Sequence, residues 1–596
     1  MCGFTGCFSF RNISSQDIDE GNKLAVCRGP DNQKNISGSE DINFDLWFNR
    51  LSIIDLNDNA NQPMVSSSLN SLIMFNGEIY NSNKLRQKKE LKNYDFKTSH
   101  SDTETLLAGL EISGIEFINN LEGQFSFIYW NKQEKKIFFV KDRLSQKPLY
   151  FNLNENTITF ASNLKSILKI LKNNHVNDNY IKQYIAYGVV FSPNTIFDNI
   201  HKVEPGHYLE IDYIDNIFKS TVNKYWQPFD FIENKKFSQE EFLDIFSESV
   251  EKRLVSDVPI ASFLSGGLDS TSIVKKISEL GDRVNTFSVV VDKSEINEES
   301  YIKEVVSKYN TNHSQIKVES SISSKNVFEA LDCLDEPYGD PSIVPSFLLS
   351  KLISQDFKVA ISGDGGDELL GGYSRMKNHL VKRSKLKNLY SKLYKTYPPL
   401  FGTGTRLKSF SNDFLEAHKS YIEDEKLVSL LFDAQINSQS GIIFTEDKSL
   451  YKSVLINEYK YYLSEQMMFK VDRASMANSL EVRSPLVDNK LVEYILNTSH
   501  NYISKESQKL PLVDYLKEDF DSSFLNRPKQ GFVFDYHTWV FENFNLISDI
   551  IDNSELNKYF HANKIYMLNK FKTRINALRL WRIFVLANYL NSIKSL

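Results

Sequence analysis

Two glycine segments and one cysteine of this 596-residue chain have the composition to do chemistry. Ser265-Gly266-Gly267-Leu268-Asp269-Ser270 follows an apolar run at 258–264 and opens a helix-like stretch. Glycines let the backbone approach a ligand closely, and a helix N-terminus turns unpaired N–H groups toward an anion. Ser265 and Ser270 add hydroxyl donors, and Asp269 could hold a divalent cation. The segment has neither the Lys of a Walker A loop nor the glycine spacing of a dinucleotide fold. Alone, it is as readily a Gly-Gly turn with a serine cap. The second segment, Ser362-Gly363-Asp364-Gly365-Gly366-Asp367-Glu368, changes that balance, because it too follows a strand-like run, Val359-Ala360-Ile361. Open parallel sheets bind ligands at the carboxyl ends of their strands. Two such loops, each with an Asp, describe a cradle for pyrophosphate and Mg²⁺, an ion that needs only one or two carboxylates beside phosphate oxygens. The third feature is Cys2. If Met1 is removed, its own α-amine, with an ordinary pKa of about 7.7–8.0, could deprotonate the thiol directly or through water.

These groups need elements to hold them. Residues 1 to about 210 read mostly as short strands: 44–48, 71–75, 124–130 and 136–140 are rich in β-branched and aromatic residues, with Asn and Gly between them. One helix is expected near 102–113, where Leu106, Leu107 and Leu110 share a face. From Val203-Glu204-Pro205-Gly206-His207, a turn signal, to about Lys236 the chain is polar and unpatterned, and the domain boundary is expected there. Beyond Phe237, strand candidates at 258–264, 284–291 and 357–362 alternate with helical stretches, the pattern of a covered parallel sheet. After about residue 374 the chain reads as wholly helical.

Composition excludes several classes. Hydrophobic residues at 41% and charged residues at 24% are ordinary for a globular protein. Seventy Lys and Arg against 76 Asp and Glu leave a net charge of −6, with no general attraction to nucleic acid. No run of 18 apolar residues exists to span a membrane, and no signal peptide is visible. Four cysteines without a Cys-x-x-Cys pair fit a reducing cytoplasm.

The two glycine loops together resemble the pyrophosphate loop of ATP-pyrophosphatases. Met1-Cys2-Gly3, Arg28-Gly29-Pro30-Asp31, Arg50-Leu51-Ser52-Ile53-Ile54-Asp55, Phe75-Asn76-Gly77-Glu78-Ile79-Tyr80-Asn81 and Ser101-Asp102-Thr103-Glu104 resemble class II glutamine amidotransferases. With Lys470-Val471-Asp472-Arg473-Ala474-Ser475-Met476, Leu480-Glu481-Val482-Arg483-Ser484-Pro485 and Arg527-Pro528-Lys529-Gln530-Gly531-Phe532, the chain resembles the glutamine-hydrolysing asparagine synthetases from end to end.

The resemblance implies an α+β, four-layer αββα N-terminal-nucleophile glutaminase domain over 1–210. An α/β parallel-sheet ATP-pyrophosphatase domain over 237–596 with a helical C-terminal part would follow. Cys2 would attack the glutamine amide, with the Asn76 amide and Gly77 N–H as oxyanion hole. Arg50 would clamp the substrate α-carboxylate, Glu78 and Asp102 would hold its ammonium, and Ile53 and Ile54 would line the pocket. Leu264, Val289, Ser362 and Gly363 would contact the adenosine part of ATP, beside Ser265, Gly266, Gly267 and Ser270. Asp269 and Asp367 would ligate Mg²⁺, and Lys470 or Arg473 with Lys529 would neutralise phosphates. Asp364 matches a position tied to forming the acyl-adenylate, where one subgroup of the family has Glu. Cys27 and Ser145 replace a usual His and Gly. The implied reaction is ATP-dependent synthesis of asparagine from aspartate and glutamine in the cytoplasm, with a homodimer among the assemblies the resemblance allows and no nucleic-acid or membrane partner. The alternatives are amidation of another carboxylate, such as a sugar uronate, or a catalytically silent homologue.

Overall fold

The computed structural model describes residues 2–596 apart from 173, 232–234, 282, 292–298, 319–321, 381–385, 411–413, 433–446, 448, 500–508, 528–533, 561 and 595. Two six-stranded antiparallel sheets are built from the first 224 residues. One sheet is centred on Gly3–Ser9, which pairs with Asn43–Arg50 on one side and Thr157–Ala161 on the other. The second is centred on Gly123–Asn131, flanked by Ser71–Ile79 and Lys136–Lys141. The alternation of side chains along a strand explains the layering. Leu72 and Met74 face a core shared with Phe4, Phe8, Leu46 and Phe48 of the first sheet. Ile73 and Phe75, one residue out of step, pack instead on Leu106, Leu107 and Leu110 of the helix Asp102–Ser113. With the helices Ser15–Lys23 and Leu164–Leu171 against the outer face of the first sheet, the order is αββα.

The polar stretch expected as a linker is not one throughout. His207–Ile214 and Ile217–Lys224 form a hairpin that completes the second sheet, so the first domain runs past residue 210. Its last strand is an exposed edge strand, which explains why no apolar alternation marks it.

The second domain holds a five-stranded, all-parallel sheet in the order Asn312–Val318, Asn285–Val291, Ile260–Phe263, Val359–Ile361, Glu481–Arg483. The last of these lies within the stretch read as wholly helical; three residues are too few to leave a period in the sequence. Around it the C-terminal part is helical, including a continuous helix that passes through ten residues of π-helix, Glu458–Met467, into Met468–Met476. The largest apolar core joins both domains: Tyr184, Ile185 and Ile196 of the first pack with Trp539, Trp581 and Phe584 of the second.

Candidate active site

Cys2 immediately precedes Gly3–Ser9, the central strand of the first sheet, and is buried. Its backbone N–H donates to Asn76 Oδ1 at 3.0 Å, which fixes the orientation of that amide. The Nδ2 group of Asn76 is buried and, among the described residues, has no hydrogen-bond partner. Such an orphaned donor costs free energy unless a ligand accepts from it. Gly77 must be glycine, because a Cβ there would meet Gln124 O at 2.1 Å. Burial pushes the Cys2 thiol up, so the resting group is the neutral thiol and the attack needs a base.

Arg50 ends its strand with a buried guanidinium wrapped by the following loop. Nη1 donates to Asn57 O at 3.0 Å and Asn61 Oδ1 at 2.8 Å, and Nη2 to Ile54 O at 3.2 Å and to Asp55 O. Backbone carbonyls orient this cation without neutralising it, which leaves it suited to a carboxylate. Across the pocket, Asp102 accepts from Ile79 N–H at 3.0 Å and Thr103 N–H at 2.7 Å. Burial, then the nearby Asp102, hold the Glu78 carboxyl well above its usual range, and burial raises Asp102. Two crowded acids held up in this way gain from an incoming ammonium.

No motif or spacing points to the second domain's part in this pocket. Arg483 Nη2 lies 3.4 Å from Glu78, and its Nε contacts Glu481 at 2.6 Å. Its Nη1 donates to the carbonyls of Arg253 and Val255 at 3.0 and 2.6 Å. No spacing rule links residues 78 and 483; only the fold brings them together.

At the other end of the parallel sheet lies a cavity of about 610 Å³. Leu264, Ser265, Gly267, Asp269, Ser270, Val289, Ser362, Gly363, Asp364, Asp367 and Lys470 all line it. Gly266 does not, but its φ of +68° makes the turn that leads into the helix Leu268–Glu279. The two glycine loops interlock. A Cβ on Gly366 would fall 2.2 Å from Asp269 Oδ1, and one on Gly372 would fall 1.8 Å from Asp367 Oδ1. The glycines thus make room for the two carboxylates. Between those carboxylates sits the ammonium of Lys509, which contacts Asp367 Oδ1 at 2.5 Å and Asp269 Oδ2. Burial opposes that charge, but the two Asp hold it above the ordinary lysine range.

Lys470 is 5% exposed, and its ammonium lies 3.9 Å from Met467 Sδ. No carboxylate lies within ion-pair distance of it among the described residues, so a buried cation faces the cavity uncompensated. Burying such a charge is costly unless an anion joins it. Arg473, expected beside it, points elsewhere. Its Nε pairs with Asp335 Oδ1 at 2.9 Å and its Nη1 with Asp472 at 3.3 Å, at the domain junction, so it is not a free phosphate ligand. One helical turn separates residues 470 and 473, but the helix packs between the cavity and the other domain. Lys529 lies outside the described residues. Lys509, Tyr373, Tyr462, Lys377 and Arg527 line the cavity without having been singled out from the sequence. Of these, Arg527 stands in the quoted Arg-Pro-Lys motif, a signal that was available.

A glutamine-amidotransferase domain model matches residues 1–226, and the asparagine synthase model matches residues 241–588. The chain belongs to the asparagine synthase family. It is 28% identical over 624 residues to glutamine-hydrolysing asparagine synthetase 1 of Bacillus subtilis (strain 168), covering 98% of this chain and 96% of that one. It is 32% identical over 398 residues to the putative asparagine synthetase 2 of Methanocaldococcus jannaschii, covering 63% and 76%. As a member of this enzyme class, the asparagine synthase family protein carries out glutamine-dependent amidation and uses ATP. No helix among its described residues is long and apolar enough to cross a membrane.

Proposed function

We propose that this chain makes asparagine from aspartate, ATP and glutamine through an acyl-adenylate. The observation that carries the reading is a buried Lys470, with no described carboxylate in ion-pair range, lining the same cavity as two carboxylates already gathered around a cation. Lys509 stands where a cation is favoured, so Asp269 and Asp367 fit Mg²⁺, bound together with phosphate oxygens. When bound, Mg²⁺ would neutralise phosphate charge as pyrophosphate leaves. Lys470 would hold a phosphate oxygen, and Ser265 and Ser270, whose hydroxyls lie 3.1 Å apart, would donate to others. Asp364 lines the cavity where the acceptor carboxylate would meet the α-phosphorus, giving acyl-AMP and pyrophosphate.

At the other site the Cys2 thiol would add to the glutamine side-chain amide, losing its proton to the α-amine freed by removal of Met1. Asn76 Nδ2 and Gly77 N–H would stabilise the oxyanion. Collapse would release ammonia and leave a γ-glutamyl thioester, which water hydrolyses to glutamate. Ammonia then displaces AMP from the acyl-adenylate. All four cysteines are free, which supports a reducing, cytoplasmic setting. The test supplies enzyme, ATP, Mg²⁺ and ammonium with either aspartate or a nucleotide-linked uronic acid. Aspartate should release pyrophosphate and yield asparagine; release by the uronic acid alone overturns aspartate as acceptor and leaves the amidation chemistry standing.

A further inference from the structure

Two strands of the parallel sheet run from one site to the other, and the residues just before them grip the glutamine pocket. Asp257 lies three residues before Ile260–Phe263, the strand that leads to Ser265. Its backbone N–H donates to Ile53 O at 3.0 Å, and its Oδ2 accepts from Asp55 N–H at 2.7 Å. The same Oδ2 lies 2.7 Å from His100 Nε2. Lys358, immediately before Val359–Ile361, pairs with Asp31 at 2.7 Å, and Asp31 accepts from Ser52 N–H at 2.7 Å.

We infer that Asp257 is a positioning residue for glutamine: it holds the Arg50 loop and the Asp102 segment at a fixed distance, in register with the ATP-site strand. The inference rests on the reading of Arg50 as the clamp for the glutamine α-carboxylate. Arg50 takes its orientation from the carbonyls of Ile54, Asp55 and Asn57. Those carbonyls belong to the loop that Asp257 grips at Ile53 and Asp55. His100 stands two residues before Asp102, on the ammonium side of the same pocket. A second tie closes the frame, since Asp55 Oδ2 accepts from Ser99 N–H at 3.1 Å and His100 N–H at 3.2 Å. One carboxylate of the second domain therefore spans both halves of the glutamine site. The strand between Asp257 and Ser265 is four residues long, about 13 Å at the usual rise. Asp257 itself is 35% exposed, so its replacement leaves the core intact.

The experiment compares glutaminase kinetics and ammonium-dependent pyrophosphate release in the full chain. Asp257→Ala should raise the KM for glutamine about ten-fold while kcat changes less than about three-fold, the mark of lost substrate positioning. Ammonium-dependent release should match wild type. Asp257→Asn, which can still accept from Asp55 N–H, should recover most of the loss. An unchanged KM in Asp257→Ala overturns the proposal, as does a parallel fall in glutamine- and ammonium-dependent rates, which would mark a merely structural role. If the alanine variant does not fold, His100→Ala removes one of the two contacts the Asp257 carboxylate makes, the one on the Asp102 side, and must raise KM in its place; an unchanged KM there overturns the proposal equally. Arg50→Ala separates the two readings. If its KM for glutamine stays at the wild-type value, the clamp assignment itself falls; if it rises while that of Asp257→Ala does not, only the positioning role falls.

Discussion

Arg28 and Asp472 join the two domains through a buried, two-pronged ion pair, Nη1 to Oδ2 at 2.8 Å and Nη2 to Oδ1 at 2.9 Å. The Nε of Arg28 donates to the carbonyl of Cys2 at 3.2 Å, so the backbone of the proposed nucleophile is tied to a helix of the ATP-binding domain. That helix carries Lys470 on the side of the cavity. Removing one partner of a buried pair leaves the other charged and desolvated, which costs about 3–5 kcal/mol. Asp472→Ala should therefore lower the urea midpoint clearly, while Arg28→Met with Asp472→Leu together should lose far less. A double variant as unstable as the single one would show that the pair matters for more than its charges.

The same carboxylate gives the acid response a direction. Burial works against ionisation of Asp472, but the charge and hydrogen bonds of Arg28, with Arg473 adding, hold its pKa down to about 2. A carboxyl lowered on folding stabilises the native state above its unfolded pKa of about 3.9, and that contribution fades as pH falls through the folded value. Glu458, held to about 2 mainly by Arg375 against its burial, behaves likewise. Unfolding free energy should thus fall between about pH 4 and pH 2, and Asp472→Ala should flatten that slope. A slope identical in wild type and variant would remove Asp472 from the account.

The nucleophile offers a cleaner separation. Cys2→Ala should abolish glutamine-dependent synthesis yet retain synthesis from ammonium, because the second site needs only ammonia. Asn76→Ala should cut glutaminase kcat by about 10²–10³-fold, the usual loss of one oxyanion donor. Glutaminase turnover surviving in Cys2→Ala would withdraw the assignment.

How much of this was legible beforehand follows from length and period. The helix Asp102–Ser113 and the strands around 71–79 and 123–131 are long and patterned, and their sequence expectations match the structure closely. The strand Glu481–Arg483 is too short to declare itself, and the hairpin 207–224 lies at a sheet edge where alternation is weak. Within the sites, motifs pointed to Asp269, Asp367 and Lys470. They could not distinguish Lys470 from Arg473, because both are basic and one turn apart; packing of the helix decides. Nor could they reveal Arg483 or Asp257 against the glutamine pocket, since those contacts join residues 202 to 405 positions apart.

Lys470 can be tested by itself. Lys470→Met keeps the buried stem and removes an ammonium that no carboxylate among the described residues pairs with. Loss of a charge-assisted bond to phosphate should slow pyrophosphate release by about 10–100-fold. Native stability should rise or hold, since an uncompensated buried charge is gone. A variant that is destabilised yet keeps wild-type release would place Lys470 among structural residues.

Lys509 supplies the last test, because it asks whether the two aspartates form a cation site without reference to turnover. In the native chain the ammonium between Asp269 and Asp367 screens their repulsion. Charges a few ångströms apart in a partly buried setting interact with energies of several kcal/mol, so neither carboxylate tolerates the loss of that cation well. In Lys509→Ala the pair should take up Mg²⁺ in its place. Added Mg²⁺ without nucleotide should therefore raise the melting temperature of the variant more than that of wild type, since a ligand that binds only the native state stabilises it by mass action. Lys509→Ala combined with Asp269→Asn should lose the extra shift, because one carboxylate is neutral and the repulsion is relieved. Equal Mg²⁺ responses in wild type and Lys509→Ala would mean that Asp269 and Asp367 do not act as a cation site on their own.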